Sequence, residues 1–512
     1  MVTDPRLRLV QGTDLAEHEQ RVLTALDSVR VILRMRRAPA SAAAGIGLMV
    51  SLTARLFAHV EIDGDAQASV SGFTTPATEL LGRLSWLRPP AAAAATSDAV
   101  IAIGDTEDRA VDLGVGGGVW TATLARRQQV PLAADTSAPH FGLQAAACLA
   151  VAELVKEVLA PLGLKARVLR DYLTWDLSNY GLSAIDPPPS GDTRNDQHLA
   201  IAGVGSVGTS VISALLSSPE PFVSSIDLID PEDFDDRNPY RYPALLDDVV
   251  GEKKVLWARD QLAQAGVRAA PHPVGLAEWI SQQARPGLSG VLVASPDTLD
   301  GRRDVADMLA RETLSIGVAG MAFHVSRHHP GDGLACPYCE YVDSTPTSSQ
   351  ADVFAAHTGL MATRIRQLMQ PGALLTAADV AASVAAGKIT SNSADRLAGH
   401  RLDDLVARAY AEVAVPVLGQ RNAGGQVLLA APYVSALAGI LAAVEVYKGH
   451  LGVPRIDRRV DVDLTGLPQG FVRRPAADSS GRCLCASPFR QRAAAALYEA
   501  DDQVSARRSG AY

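Results

Sequence analysis

Short apolar runs alternate with helix-length stretches along most of this chain, and the clearest example begins at residue 198. There an apolar run leads into Gly203, Gly205 and Gly208, a helix-compatible stretch follows, and a second apolar run ends at Asp230. This is the order of a nucleotide-binding βαβ unit, in which the glycines let the backbone approach a phosphate closely and the carboxylate accepts ribose hydroxyls. The pattern predicts an α/β fold with a nucleotide site.

The residues that follow distinguish between classes of nucleotide. A glycine turn alone is typical of dinucleotide-binding dehydrogenases. Two cations, an amide and carboxylates near the carboxyl ends of parallel strands suit a triphosphate with its magnesium better than a dinucleotide. The residues concerned are Glu232, Asn238, Arg241, Lys254, Asp297 and Arg302.

Together these motifs resemble the adenylation domain of ubiquitin-activating enzymes and of their bacterial relatives, ThiF, MoeB and the microcin-type peptide adenylyltransferases. The resemblance covers roughly the second half of the chain and implies that ATP adenylates the C-terminal carboxylate of a ubiquitin-like protein or a small peptide. It implies that Asp297 binds Mg²⁺, that Arg241 and Lys254 hold the phosphates, that Asn238 bonds a phosphate, and that Asp230 accepts the ribose hydroxyls. Glu232 and Arg302 match further positions of the family's nucleotide site.

One departure from the family limits the expected reaction. Activating enzymes that transfer the acyl group to their own thiol carry a cysteine between the cysteine knuckle and the late helix. Residues 340–482 contain no cysteine. We therefore expect a reaction that stops at the acyl-adenylate or passes it to a nucleophile on a downstream acceptor protein.

The first half reads as a degenerate copy of the second. The order of strand, glycine, helix and strand recurs between residues 28 and 65, and Glu153 and Lys156 lie in the late helix where Glu445 and Lys448 lie in the second copy. Asp63 and Asp105 are kept, but the phosphate-binding motifs are missing. We therefore expect two Rossmann-like, ThiF-type halves in a fused pseudo-dimer whose N-terminal half is inactive.

In the relatives an arginine from the partner's N-terminus completes the ATP site. Arg6, Arg8 and Arg21 are candidates for this arginine here, and Arg170 is their rival. The sequence does not choose between them.

The repeat sets the expected boundaries. The expected segments are an inactive half at 1–165, a helix and linker at 166–197, an active half at 198–463 with a helical insertion at 345–426, and a tail at 464–512 with one short helix.

Four of the five cysteines fall in two tight pairs, Cys336 with Cys339 and Cys483 with Cys485. Two such pairs are more typical of a structural Zn²⁺ site than of disulfides in a reducing compartment. The relatives carry C-x-x-C twice, whereas the second pair here is C-x-C. Cys148 lies in an apolar stretch and is expected to be an inert core residue.

Composition narrows the function classes further. The chain has 512 residues, 47% of them hydrophobic, and a net charge of −9, which argues against a broad nucleic-acid surface. No run is apolar enough for a membrane span, and the polar N-terminus is not a signal peptide, so we expect a cytoplasmic protein. Two alternatives to the adenylating enzyme remain, a non-catalytic peptide-binding scaffold and an NAD-dependent oxidoreductase. Pairing of two chains into a homodimer also remains open.

Overall fold

The structure is a computed structural model. It describes residues 4–10, 15, 18–35, 38–91, 94–104, 110–182, 197–236, 238–283, 287–288, 290–296, 298–341, 351, 354–355, 358–370, 372–394, 397–402, 404–406, 409, 430–468, 470–479, 483, 485 and 487–508. Within these ranges, the side chains of residues 5, 8, 10, 392–393, 471 and 499–508 are not described.

The first half is built on a six-stranded sheet with a separate two-stranded hairpin. The strands are β1 (Val29–Met35), β2 (His59–Gly64), the hairpin β3 (Gln67–Val70) and β4 (Phe73–Pro76), β5 (Ser97–Ile103), β6 (Leu113–Gly117), β7 (Thr121–Arg126) and β8 (Tyr172–Asp176). The helices are α1 (Glu19–Asp27), α2 (Ala43–Leu56), α3 (Ala77–Arg83) and α4 (Phe141–Leu159).

The second half is built on an eight-stranded sheet. Its strands are β9 (His198–Ala202), β10 (Ser225–Ile229), β11 (Arg268–His272), β12 (Val291–Ala294), β13 (Glu312–Ala319), β14 (Ala322–His328), β15 (Arg459–Asp463) and β16 (Phe471–Arg473). Its helices are α5 (Ser206–Leu215), α6 (Lys254–Gln264), α7 (Leu276–Ser281), α8 (Leu299–Asp307), α9 (Ala362–Leu368), α10 (Ala377–Ala385), α11 (Ser391–Ala394), α12 (Pro432–His450) and α13 (Pro488–Arg508).

The two sheets share one strand order. The first runs β2-β1-β5-β6-β7-β8, and the second contains β10-β9-β12-β13-β14-β15 with β11 and β16 added at its edges. In both, the first four strands of this order are parallel and the last two are antiparallel to their neighbours. The fold is therefore a mixed α/β fold, and β9, α5 and β10 form the expected βαβ unit.

Two expectations for the connecting and terminal segments are wrong. The helix expected within 166–197 is strand β8, which pairs antiparallel with β7 and completes the first sheet. Leu173, Trp175 and Leu177 are buried and follow the alternation of a strand, and β7 supplies the hydrogen-bonding partners that this strand requires. The tail also contains β16, and its helix α13 is 21 residues long rather than short.

The helices between the sheets share one hydrophobic core. Helix α12 is buried along its whole length and packs against α5 of its own half and α4 of the other half. Each of the two long helices contains a buried ion pair one turn apart, Glu153 with Lys156 and Glu445 with Lys448. The second carboxylate oxygen of each glutamate accepts a backbone N–H from the segment after its helix, Leu169 at 2.7 Å and Ile456 at 2.8 Å.

The outer faces of the two sheets differ. On the second sheet, small side chains such as Ala200 and Ala202 are covered by Trp279 of α7 and Val305 of α8. On the first sheet the outward residues of β1 include Arg30, which is 45% exposed and pairs with Asp98 of β5. The described residues between β5 and β6 contain no helix that corresponds to α8.

The expected insertion forms a small helical body. Helices α9 and α10 enclose a hydrophobic cluster of their own that includes Ile365, Leu368 and Val380. Most of the third helix expected here, at 403–419, lies outside the described residues. A search of the described helices for one with the length and hydropathy of a membrane span finds none.

We predict that Lys448→Met and Lys156→Met each lower the free energy of unfolding by about 3–5 kcal/mol, because either change leaves a buried carboxylate without its cation. Both lysine side chains are 1% exposed. The measurement is urea unfolding followed by tryptophan fluorescence. Lys253→Met, which removes an exposed cation paired with Asp233, is the control and is expected to cost less than about 1 kcal/mol. Equal losses in the control and in either buried variant would contradict this account.

Candidate functional site

The glycine turn joins β9 to α5. Gly203 has a φ of +93°, a left-handed conformation that favours glycine, and Gly205 is the residue that caps α5. Gly208 lies in the first turn of α5, where an added Cβ would stand 2.1 Å from the carbonyl oxygen of Gly203. The helix can therefore approach the strand end only because residue 208 lacks a side chain.

Asp230 follows β10 and closes the turn from the other side. One carboxylate oxygen accepts the N–H of Val204 at 2.7 Å, and the other accepts the N–H of Glu232 at 2.8 Å. The side chain is almost fully buried, and this burial raises the pKa of Asp230, although nearby Lys254 opposes the rise. The carboxylate thus fixes the glycine turn and retains lone pairs for a further hydroxyl donor.

Lys254 begins α6 and reaches the same place. Its ammonium forms an ion pair with Glu232, whose side chain is 69% exposed, and lies 5.9 Å from the ring centroid of Tyr242. Burial acts against its charge, but Tyr242, Glu232 and Asp230 together raise the pKa of Lys254. Lys254 is buried and charged, whereas its partner Glu232 is exposed. The lysine can therefore exchange the glutamate for a bound anion.

Asn238 and Arg241 lie in one turn of chain after Asp230. The carbonyl of Asn238 accepts the N–H groups of Arg241 and Tyr242, and the hydroxyl of Ser206 on α5 donates to the carbonyl of Arg241 at 2.7 Å. Among the residues that the structure describes, the buried Nε of Arg241 and the buried Oδ1 of Asn238 have no hydrogen-bond partner. The first is a donor that suits a phosphate oxygen. The second is an acceptor, and the amide nitrogen of Asn238 donates to Asp235, so a bond from Asn238 to a phosphate requires this amide to leave Asp235.

A small cavity lies beside this turn. It is lined by Arg241, by Tyr240 and by two arginines of the first half, Arg6 and Arg55. Of the four arginines considered from the sequence, Arg6 therefore shares a cavity with Arg241, and it is held by Asp4 and Asp27. Arg21 and Arg170 are exposed, and the side chain of Arg8 lies outside what the structure describes.

Asp297 and Arg302 are the other two residues that the sequence predicted for the nucleotide site. Asp297 lies outside the described residues, although the loop that contains it starts at Ser295, 3.5 Å from a Cβ built on Gly203. Arg302 is buried on α8 and stacks on the ring of Tyr341, with 3.6 Å between the guanidinium carbon and the ring centroid. No described contact joins Arg302 to Asp230 or Lys254, because its helix directs it toward β14.

The four paired cysteines meet at one point. The Cys336 sulfur lies 3.7 Å from that of Cys339 and 3.4 Å from that of Cys483, and 3.2 Å separates Cys339 from Cys485. All four sulfurs lie within 4.8 Å of one another, close to the separation of about 3.8 Å that tetrahedral Zn–S bonds of about 2.3 Å give. The donor set therefore fits zinc. Cys148 is buried on α4, and burial raises the pKa of its thiol.

Several residues at the site were not indicated by the sequence. Ser206 and Ser295 lie next to the glycine turn, and Arg55 of the first half contacts the turn that contains Arg241. The serines could have been found from their places beside the glycine turn and after β12. Arg55 carries no local signal, because its contacts lie 184–190 residues away.

Comparisons with known proteins give only distant likenesses. The sequence matches no protein-family model. It is 25% identical over 379 residues to the uncharacterized protein y4jF of Sinorhizobium fredii, and the match covers 72% of each chain. Crystal structures of E. coli MccB with MccA-N7isoASN and with ATP match at TM-scores of 0.35 and 0.34 and 13% identity, over 56% of this chain.

The MccB matches span 66% and 65% of those chains, just under two thirds of their length. PaaA matches at a TM-score of 0.29 and 14% identity, over 55% of this chain and 64% of its own. Likenesses at this level carry no argument about activity. The functional assignment therefore depends on the residues of this chain.

We predict one tightly bound zinc per chain. Cys339→Ser is expected to lose the metal and to lower the melting temperature, because three sulfurs no longer complete the tetrahedron. Metal content is measured by atomic emission after gel filtration. Cys148→Ala removes a thiol that is remote from the cluster and should retain the zinc. Purified protein without metal, with a melting temperature that chelators leave unchanged, would contradict the prediction.

Proposed function

We propose that this chain is an ATP-dependent adenylyltransferase that activates the C-terminal carboxylate of a small peptide or a ubiquitin-like protein. One observation carries the proposal: the glycine turn, Asp230, Lys254 and the turn with Arg241 meet at the carboxyl ends of β9 and β10. Parallel α/β sheets bind nucleotides at this edge. The sequence resemblance to adenylating enzymes supplies the class of reaction.

The charges of the site suit a triphosphate. Lys254 and Arg241 both lie near Tyr242, with the charged groups 5.9 Å and 5.8 Å from its ring centroid. The two cations can thus contact different parts of a polyphosphate while Asp230 accepts a ribose hydroxyl. Mg²⁺ bound at Asp297 would neutralise phosphate charge, and Arg6 would supply the additional arginine.

In the reaction, the carboxylate of the partner attacks the α-phosphorus of ATP, the bond to the β-phosphate oxygen breaks, and pyrophosphate leaves. The residues of this chain bind and orient the two reactants and stabilise charge on the leaving phosphates. Because residues 340–482 contain no cysteine, the adenylate itself is the product or is transferred to a nucleophile on another protein.

We further propose that the first half is an inactive copy. The shared strand order and the matching buried pairs on α4 and α12 support a fused pseudo-dimer. In the first half, Arg34 donates to Asp63 at 2.9 Å, so the carboxylate that would accept a ribose is already paired with a cation. Asp105, the other retained acid, lies outside the described residues.

The decisive test is calorimetric titration with Mg·ATP and, separately, with NAD. We expect Mg·ATP to bind and Lys254→Met to weaken binding by about 30-fold or more, which corresponds to ~2 kcal/mol for a lost charged hydrogen bond. Lys253→Met changes the adjacent exposed lysine and should bind as the wild type does. Binding of NAD instead of ATP would indicate an oxidoreductase, and binding of neither would leave a scaffold.

A turnover assay distinguishes an enzyme from a scaffold that binds the nucleotide but does not react it. We expect pyrophosphate release from ATP to rise when a synthetic peptide that ends in a free Gly-Gly carboxylate is added. The same peptide with a C-terminal amide is the matched control, because it lacks the nucleophile. Equal pyrophosphate release with both peptides would reject carboxylate activation for this class of partner.

A further inference from the structure

Side chains of the first half donate hydrogen bonds to the backbone of the turn that contains Asn238 and Arg241. Six backbone carbonyls of the segment from 239 to 246 accept hydrogen bonds from first-half side chains, whereas that of Arg241 accepts one from Ser206 of the second half. The donors are Arg55 to Pro239, Tyr242 and Leu245, Ser51 to Pro243, Ser71 to Ala244, and Trp86 to Leu246.

Arg55 makes three of these six contacts. It projects from the last turn of α2, is 1% exposed, and donates from Nε to Pro239 at 2.9 Å and from Nη2 to Tyr242 at 3.0 Å and to Leu245. Its Nη1 donates to the hydroxyl of Ser51 at 2.6 Å, and that hydroxyl donates in turn to Pro243. The planar guanidinium, with donors in fixed directions, connects carbonyls that are six residues apart in sequence.

The charge of Arg55 is held by carbonyl and hydroxyl oxygens. No described carboxylate forms an ion pair with it, and burial lowers the pKa of Arg55 to about 9. A charged group with that environment costs several kcal/mol to bury unless its hydrogen bonds are complete. Packing alone would therefore not favour an arginine at this position. Arg55 also lines the same cavity as Arg241.

We propose that Arg55 is a positioning residue of the nucleotide site, which holds the turn from Asn238 to Leu245 so that Asn238 and Arg241 face the ligand. This inference rests on the proposed function, because the ligand is Mg·ATP. It assigns the first half a role in the reaction although its own nucleotide residues are paired or missing. Removal of Arg55 frees the turn to move while Lys254 and Asp230 keep their places on the second sheet.

The test compares Arg55→Met with Lys156→Met. Lys156 is a matched control because it is also a buried cation of the first half and also donates to a second-half carbonyl, that of Gly466 at 3.0 Å, far from the turn in sequence. Both changes are expected to lower the melting temperature. Arg55→Met alone should weaken Mg·ATP binding by at least about tenfold, or ~1.4 kcal/mol.

A second measurement does not require the nucleotide. Hydrogen–deuterium exchange of the amides of Arg241, Tyr242 and Leu245, which are bonded within the turn, should rise at least about tenfold more in Arg55→Met than in Lys156→Met. If the wild type does not bind ATP, the proposed function fails, and the exchange result alone decides whether Arg55 orders the turn.

Arg55→Lys separates geometry from charge. An ammonium retains the positive charge but cannot reach carbonyls on both sides of the turn at once, so binding should stay weak. Full recovery of Mg·ATP binding in Arg55→Lys would overturn the positioning role in favour of simple charge. Unchanged binding in Arg55→Met, or equal weakening in Lys156→Met, would also overturn it.

Discussion

The architecture depends on the contact between the two halves through a single layer of buried helices. Helix α12 has no exposed face, since it packs on β13 and β14 of its own sheet, on α5 and on α4 of the first half. A helix buried on all sides cannot be stable without all its neighbours. The two sheets are therefore mutually dependent parts of one core, and the first half cannot be removed without exposing the helices that support the glycine turn.

This dependence gives the first half a structural role that does not require it to bind a nucleotide. The two halves differ most away from the buried helices. Asp63 is paired with Arg34, and charged residues such as Arg30 lie exposed where the second sheet is covered by helices. The halves agree on the helical side, where the buried Glu153–Lys156 pair matches Glu445–Lys448.

The sequence predicted well what depends on neighbouring residues. The glycine turn and the acid after β10 have short, ordered spacings, and the structure brings them together. The two cysteine pairs are far apart in sequence, and the chemistry of a four-thiolate site predicted that they meet. The sequence predicted poorly what depends on distant partners without such a chemical signal. The segment 172–176 is a strand because β7 offers it hydrogen-bonding partners. Arg55 had no local pattern at all, because its role exists only when the halves are folded together.

The cysteine cluster has a consequence for the order of synthesis. Cys336 and Cys339 follow β14 directly, but their partners Cys483 and Cys485 lie about one hundred and fifty residues later, after every strand of the second sheet. During translation the first pair therefore emerges with only two of four ligands, too few for a closed zinc site. An ion held by all four sulfurs could therefore be captured only after residue 485 has left the ribosome, and a chain truncated before that point would lack half of the ligands.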